Sequence, residues 1–271
     1  MHSQQQLTQF KKLIWDYYAE HKREFPWRNI ENPYYIVVSE IMLQQTQTYR
    51  VIAKYEQFIS QFPTIELLAH AQQADVIKAW QGLGYNRRAL ALHRTAQQIV
   101  QEHQSIVPNC PITLETFPGI GKATASSIAA FAYNQQTTFI ETNIRAVFIH
   151  CFFINQKNIT DDQLLPLVAE TVDQENPREW YYALMDFGVM LKKNCVNPSR
   201  ASKHHTKQST FEGSDRQIRG MILKLLSQEN SLSSEQLFQQ IPREQKRIER
   251  ALQQLSQEGF IKQAQETFTL A

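Results

Sequence analysis

Three short runs of the sequence combine side chains that can do chemistry with the turns needed to aim them. The first is Val38-Ser39-Glu40-Ile41-Met42-Leu43-Gln44-Gln45-Thr46-Gln47. It sets one carboxylate, Glu40, inside a mainly apolar helix, with Gln44 four residues on and therefore on the same face. Burial beside Val37, Val38, Ile41 and Met42 raises a carboxyl pKa and suits it to general-acid work. Taken alone, a glutamate on an exposed helix face is the commoner arrangement and does none of this. The second run is Phe139-Ile140-Glu141-Thr142-Asn143-Ile144-Arg145. Glu141 stands where an extended segment enters a helix, so its charge meets the positive helix end. A plain helix N-terminal acid has the same signature. The third is Phe117-Pro118-Gly119-Ile120-Gly121-Lys122-Ala123-Thr124-Ala125. Pro-Gly-Ile-Gly makes a hairpin in which glycine permits positive φ and close backbone approach. The helix that follows at once offers unpaired N–H groups to a phosphate oxygen without reading base sequence. An ordinary helix–turn–helix corner is the alternative.

The elements that must hold these runs are helical nearly throughout. Leu7, Phe10, Ile14 and Tyr17 recur at helical spacing and predict a first helix. A loop at Pro26 and Asn32-Pro33 precedes a second helix, predicted from about Tyr34 to Tyr49. Further helices are expected after Pro63-Thr64, from Asp75 to Trp80, from Ala89 to Glu102, on both sides of the hairpin, from Asn143 to Phe153 and from Asp161 to Asp173. Between residues 192 and 207 lie five basic residues (Lys192, Lys193, Arg200, Lys203 and Lys207) and no acid. With Pro198, several Ser and Thr, and His204-His205, this stretch reads as a basic linker over 192–213, which separates a core at 1–191 from a unit at 214–271. In the last unit three helices are followed by Phe260-Ile261 and Thr267-Phe268-Thr269-Leu270, a two-strand wing. Three helices and a terminal hairpin form a winged-helix pattern, whose third helix carries Arg243, Lys246, Arg247 and Arg250 and suits a duplex groove.

Composition bounds the rest. The 271 residues suffice for two domains, and 42% hydrophobic with 20% charged residues is ordinary for a globular protein. The formal charge of +2 does not by itself announce a nucleic-acid binder. Three scattered cysteines (Cys110, Cys151 and Cys195), with no Cys-x-x-Cys pair, argue against disulfides, bound zinc or an iron–sulfur cluster and for a reducing compartment. No apolar run nears the roughly 20 residues of a membrane span, and the N-terminus lacks a signal-peptide pattern. A cytoplasmic, nucleoid-associated protein without a membrane partner is expected.

Together the motifs resemble the endonuclease III superfamily of helix-hairpin-helix DNA glycosylases, and most closely its MutY-type adenine-specific members. The resemblance spans about residues 8 to 190. It includes Phe25-Pro26-Trp27-Arg28, Asn32-Pro33-Tyr34, the Ser39–Gln47 run, Trp80-Gln81-Gly82-Leu83-Gly84-Tyr85, the hairpin, and Leu184-Met185-Asp186-Phe187-Gly188. It implies an all-α, two-lobed core followed by the winged-helix-like unit. It also implies an enzyme that flips a damaged or mispaired base from double-stranded DNA and hydrolyses its N-glycosidic bond. By this resemblance Glu40 protonates the leaving base, Glu141 faces the sugar cation, and Asn143 is its polar neighbour. Gln45 wedges into the duplex, and Pro118 to Gly121 anchor a phosphate. Gln44, Tyr85, Lys122, Thr124, Trp27 and Arg28 join them on the DNA side.

The departures from the family pattern are equally specific. Glu141 stands in place of an aspartate, one methylene longer. Ala123 occupies the place of the lysine that a Schiff-base lyase needs, and Lys122, one residue away, points roughly 100° elsewhere on a helix. The cluster-binding cysteines are missing, so no cofactor is expected. Asn86 replaces a customary tyrosine, and the C-terminal unit reads as a winged helix, unlike the family's usual 8-oxoguanine-reading domain, which is not expected here. The missing lysine predicts a monofunctional glycosylase, and the resemblance implies a monomer, with adenine the first expectation for the base. A glycosylase for another base, or a non-catalytic lesion sensor on the same fold, is the alternative.

Overall fold

The computed structural model describes residues 3–206 and 210–271. In chain order the helices are α1 (Gln4–His21), α2 (Pro33–Leu43), α3 (Thr48–Gln61), α4 (Ile65–His70), α5 (Gln73–Ala79), α6 (Arg87–Glu102), α7 (Pro111–Glu115), α8 (Lys122–Tyr133), α9 (Thr142–Phe152), α10 (Asp161–Thr171) and α11 (Pro177–Asn194). A 3-10 turn at Pro198–Ala201 follows. The C-terminal part holds α12 (Asp215–Gln228), β1 (Leu232–Ser233), α13 (Ser234–Gln240), α14 (Gln245–Gln257), β2 (Ile261–Ala264) and β3 (Thr267–Leu270). Two compact units are built from this chain. The first takes the described residues of Met1–Glu40, Pro108–Thr116 and Ile120–Lys207, and the second those of Ile41–Val107, Phe117–Gly119 and Gln208–Ala271. Among the described residues no helix is long and apolar enough to cross a membrane.

In the first unit, α1 buries Leu7, Phe10, Ile14 and Tyr18. The spacing places Tyr18, not the predicted Tyr17, on the apolar stripe, because the 3.6-residue period advances by four from Ile14. α1 packs on α11, where Trp180 meets Phe10 edge-on with ring centroids 6.0 Å apart. α11 also carries Asp186, almost wholly buried, which organises the loop between α1 and α2. It accepts from Arg28 Nη2 at 2.7 Å and Nη1 at 2.9 Å, and from Arg23 Nε at 2.7 Å and the Arg23 backbone N–H at 2.9 Å. Burial opposes the Arg28 charge, but the bonds to Asp186 outweigh it and raise the guanidinium pKa. Trp27 and Arg28 were expected on the DNA side. Both are buried, at 4% and 5% exposure, and Arg28 is committed to this ion pair. They are held inside the loop and not on an exposed face.

The predicted basic linker is in part folded into the first unit. Lys192 and Lys193 belong to the last turn of α11. Beyond it, buried Ser199 donates its hydroxyl to Thr142 O at 3.0 Å, and Ser202 forms a parallel bridge with Ile159. Small polar side chains there find backbone acceptors and pack. Lys207 lies outside the described residues.

In the second unit the predicted helix over 34–49 breaks. α2 ends at Leu43, Gln45 adopts φ 53°, and α3 starts at Thr48. Gln44 therefore lies in a turn and does not continue the helical face of Glu40. The cause is Arg88 of α6. Its guanidinium, nearly buried, donates to the carbonyls of Ile41, Met42 and Gln44 at 3.0, 2.9 and 2.5 Å, to Thr46 Oγ1 at 2.9 Å and to Gly84 O at 3.1 Å. Carbonyls at a helix end need donor partners, and here one buried cation supplies them. Desolvation holds the Arg88 pKa down at about 10.

The C-terminal part follows the winged-helix order but with three strands, not two. β1 pairs with β3 and β3 with β2, all antiparallel, with Leu232 opposite Phe268 and Gln263 opposite Phe268 on the other side. β1 is too short for sequence alternation to show it. Ser233 caps α13 in a capping box, which stops the strand as it starts the helix. Ile77 of α5 and Leu90 of α6 share one apolar core with Ile222, Leu226, Ile248, Leu255 and Phe260. Glu258 adds bonds to Arg87 and Arg219, and these cations hold its carboxyl down near 2. On α14 and just before it, Arg247 and Arg243 are taken up by Asp215 and Glu212, so two of the four expected groove contacts are occupied within the unit.

Candidate active site

Glu40 is the last first-unit residue of α2, and it is only partly accessible. Its neighbours Val37, Val38 and Ser39 are buried to within 1%. Ser127 of α8 donates to Glu40 Oε2 at 2.5 Å. Loss of water around the carboxylate pushes its pKa up to about 7. The Ser127 hydroxyl opposes that shift and the nearby Glu141 charge reinforces it. Of the two arrangements open from the sequence, Glu40 is thus half-buried and not fully exposed, and its hydrogen-bond partner is a serine that the sequence pattern did not single out.

Glu141 is the N-cap of α9. Its Oε1 accepts the backbone N–H groups of Asn143 at 2.6 Å and Ile144 at 2.8 Å, the reciprocal of what a helix start requires. Its Oε2 accepts Asn143 Nδ2 at 3.1 Å. Desolvation raises the carboxyl above its ordinary range. The Ile144 N–H, Lys192, the Asn143 N–H and Arg145 each pull it back. Among the described residues, every hydrogen-bond partner of the Glu141 side chain is an N–H, which can donate but not accept. Glu40 faces a hydroxyl, which can do either. A proton retained by the two carboxyls therefore belongs on Glu40 and a charge on Glu141. Lys192, half-buried on α11, donates to Asn143 Oδ1 at 2.8 Å and Thr142 Oγ1 at 3.1 Å.

The residues expected on the DNA side, apart from Trp27 and Arg28, fall into two groups, one in each unit. In the second unit, Gln45 is exposed at the tip of the α2–α3 turn with its positive φ. Gln44 is bound inward, donating its amide to Gly119 O at 3.0 Å, so it supports the hairpin. Thr95 donates to Pro118 O at 3.0 Å. Gly119 has φ 77°, and a Cβ there would stand 2.7 Å from Ala91 Cβ, so only glycine fits. Tyr85 is exposed with φ 48° beneath the Arg88 guanidinium, and its hydroxyl receives Arg216. In the first unit, Gly121 is the N-cap of α8 and offers no side-chain cap, which leaves the first-turn N–H groups without intrahelical acceptors. Gly121 and Lys122 are exposed, and Thr124 is half-buried with its carbonyl bonded to Ser127.

The three cysteines do not fit an iron–sulfur cluster, which takes four thiolates. Cys195, the one nearest that region of the family, donates its thiol to Leu191 O.

The family described as HhH-GPD superfamily base excision DNA repair protein matches residues 38–172. The adenine DNA glycosylase of Mycobacterium tuberculosis (strain CDC 1551 / Oshkosh) is 33% identical over 235 residues, covering 79% of this chain and 76% of that protein. The chain belongs to the HhH-GPD superfamily. The adenine DNA glycosylase of Buchnera aphidicola subsp. Baizongia pistaciae is 35% identical over 184 residues, covering 67% and 52% of the two chains. In fold, this HhH-GPD chain is similar to a thermostable thymine-DNA glycosylase, with TM-score 0.63 and 21% identity over 74% of this chain and 97% of that one. It is also similar to endonuclease III trapped covalently on DNA, with TM-score 0.60 and 13% identity over 73% and 94%. The matched HhH-GPD stretch contains Glu40, Ser127, Glu141, Asn143 and the hairpin. Lys192 lies beyond it.

Proposed function

We propose that this DNA N-glycosylase of base excision repair removes a mispaired or damaged base, adenine first, by hydrolysis and without a covalent enzyme intermediate. The observation that carries the reading is the pairing of Glu40, half-protonated near neutrality, with Glu141, whose three N–H donors favour its ionised form. The target nucleotide must leave the stack to reach such a site. As the bond between C1′ and the base nitrogen breaks, its electron pair goes to the base, which takes the Glu40 proton. The cationic sugar is faced by the Glu141 carboxylate. Water then adds to C1′, and Glu40, now ionised, accepts its proton.

Adenine is favoured by the names of the relatives, which cover more than two thirds of this chain. Asn86, in place of the family's tyrosine, favours testing other bases beside it. Ala123, exposed in the first turn of α8, has no amine to form a Schiff base. The protein works as a monomer on duplex DNA and needs no cluster.

The test is a panel of duplexes carrying different lesions and opposing bases, treated with alkali after incubation. Release of adenine with strand breaks only after alkali is the expected result. A covalent adduct trapped by borohydride would replace hydrolysis with a lyase mechanism. No release from any duplex would leave a DNA-binding lesion sensor.

A further inference from the structure

We infer that Lys192 is a positioning residue for base excision, setting the side-chain orientation of Asn143 and, through it, of Glu141. The inference rests on the glycosylase reading above. It starts from α11, which lies against the first turn of α9. At Gly188, a Cβ would stand 2.6 Å from Asn143 O and 2.7 Å from Asn143 Cβ, so only a hydrogen is admitted and the two helices close directly on Asn143. Lys192 is four residues further along α11, on the same face. From there its ammonium reaches Asn143 Oδ1 at 2.8 Å and Thr142 Oγ1 at 3.1 Å.

An ammonium has three protons to give and no lone pair to offer. It therefore selects the oxygen end of the Asn143 amide and turns the NH2 end away from itself. That NH2 meets Glu141 Oε2 at 3.1 Å. Reversed, the amide would present a lone pair to the carboxylate and its NH2 to the ammonium, and both contacts would repel. A glutamate at this position has one more torsion than an aspartate to restrain. The backbone N–H groups of Asn143 and Ile144 hold only Oε1, so restraint of Oε2 falls to the Asn143 amide. The other charges facing Glu141 are Glu40 and Arg145. Arg145 is itself held by Asp161 through two bonds of 2.8 Å.

The test compares wild type, Lys192→Gln and Lys192→Arg in the full chain. The Glu141 carboxyl is titrated by carbon NMR in the free protein, and single-turnover base release is measured on the best duplex of the panel. In Lys192→Gln the Glu141 midpoint rises. Base release slows by about tenfold or more, since small misplacement of a reacting group is costly. Affinity for undamaged duplex and Tm stay near wild type. Lys192→Arg, which keeps donors and charge, recovers most of the rate and the midpoint. An unchanged Glu141 midpoint in Lys192→Gln overturns the inference, as does a Lys192→Arg protein no better than Lys192→Gln. A wild type that releases no base refutes the glycosylase reading instead, and the titration still decides the role of Lys192.

Discussion

Ser127 Oγ lies 2.5 Å from Glu40 Oε2 and 3.0 Å from Thr124 O, so one hydroxyl serves both protonation states of the acid. When Glu40 is ionised, Ser127 donates to it. When Glu40 carries its proton, Ser127 can accept that proton's hydrogen bond and donate to Thr124 instead. No heavy atom has to move, which suits a group that must give up and recover a proton in each turnover.

Removing that hydroxyl moves the pH profile in a defined direction. The bond favours the ionised carboxylate, so Ser127→Ala raises the Glu40 pKa above its value of about 7. A general acid must be protonated, so wild-type base release falls as pH rises through about 7. In Ser127→Ala the fall comes at higher pH. Single-turnover rates between pH 5.5 and 9 (about 0.5-unit steps suffice, since one unit is a tenfold change in ratio) read the limb separately from the plateau. A limb that stays put or moves to lower pH contradicts the assignment.

Glu40→Gln separates chemistry from binding. Loss of the general acid lowers base release by about 10²–10⁴-fold, while duplex binding persists. The same change affects folding with the opposite sign. The Glu40 pKa is raised from 4.5 to about 7 on folding, so its stabilisation is complete below 4.5 and lost as pH rises through 7. Above pH 7 wild type holds a poorly solvated charge that Glu40→Gln lacks. The variant therefore melts higher than wild type at pH 8 and shows no such advantage at pH 4. Thermal melts at the two pH values check the sign.

Arg28→Met tests whether this arginine is structural. It strips the buried Asp186 of its bidentate partner, leaving the more exposed Arg23 as its remaining ion pair. Breaking one side of a buried pair costs about 3–5 kcal/mol, and the loss is expected at the lower end. Arg28→Met/Asp186→Leu recovers part of it in urea unfolding. Duplex affinity measured on the folded fraction stays unchanged, and a selective loss of affinity would return Arg28 to the DNA side.

Arg88→Lys probes the α2–α3 turn. One ammonium cannot reach the five oxygens that the guanidinium holds. The turn carrying Gln45 loosens. Fluorescence of a base analogue beside the target reports weaker flipping, and base release drops by about tenfold with near-normal affinity for undamaged duplex. Equal losses in both would mean that the turn only contributes binding.

Local needs were readable from the chain itself. The helical stripes, the turn glycines of the hairpin, the placing of Glu141 at a helix start and the apolar setting of Glu40 all follow from residues within a few positions of one another. Even there, local reading failed at the Tyr34–Tyr49 helix, because the group that ends it, Arg88, belongs to another helix. Ser127 meets Glu40 across 87 residues, Lys192 meets Asn143 across 49, and Arg28 meets Asp186 across 158. Period and capping patterns record only what each residue asks of its own segment. Which serine tempers an acid, which lysine turns an amide and which arginine is buried depend on helices brought side by side by the core. Packing alone supplies those partners, because a hydrogen bond is decided by distance in space and carries no trace in spacing along the chain.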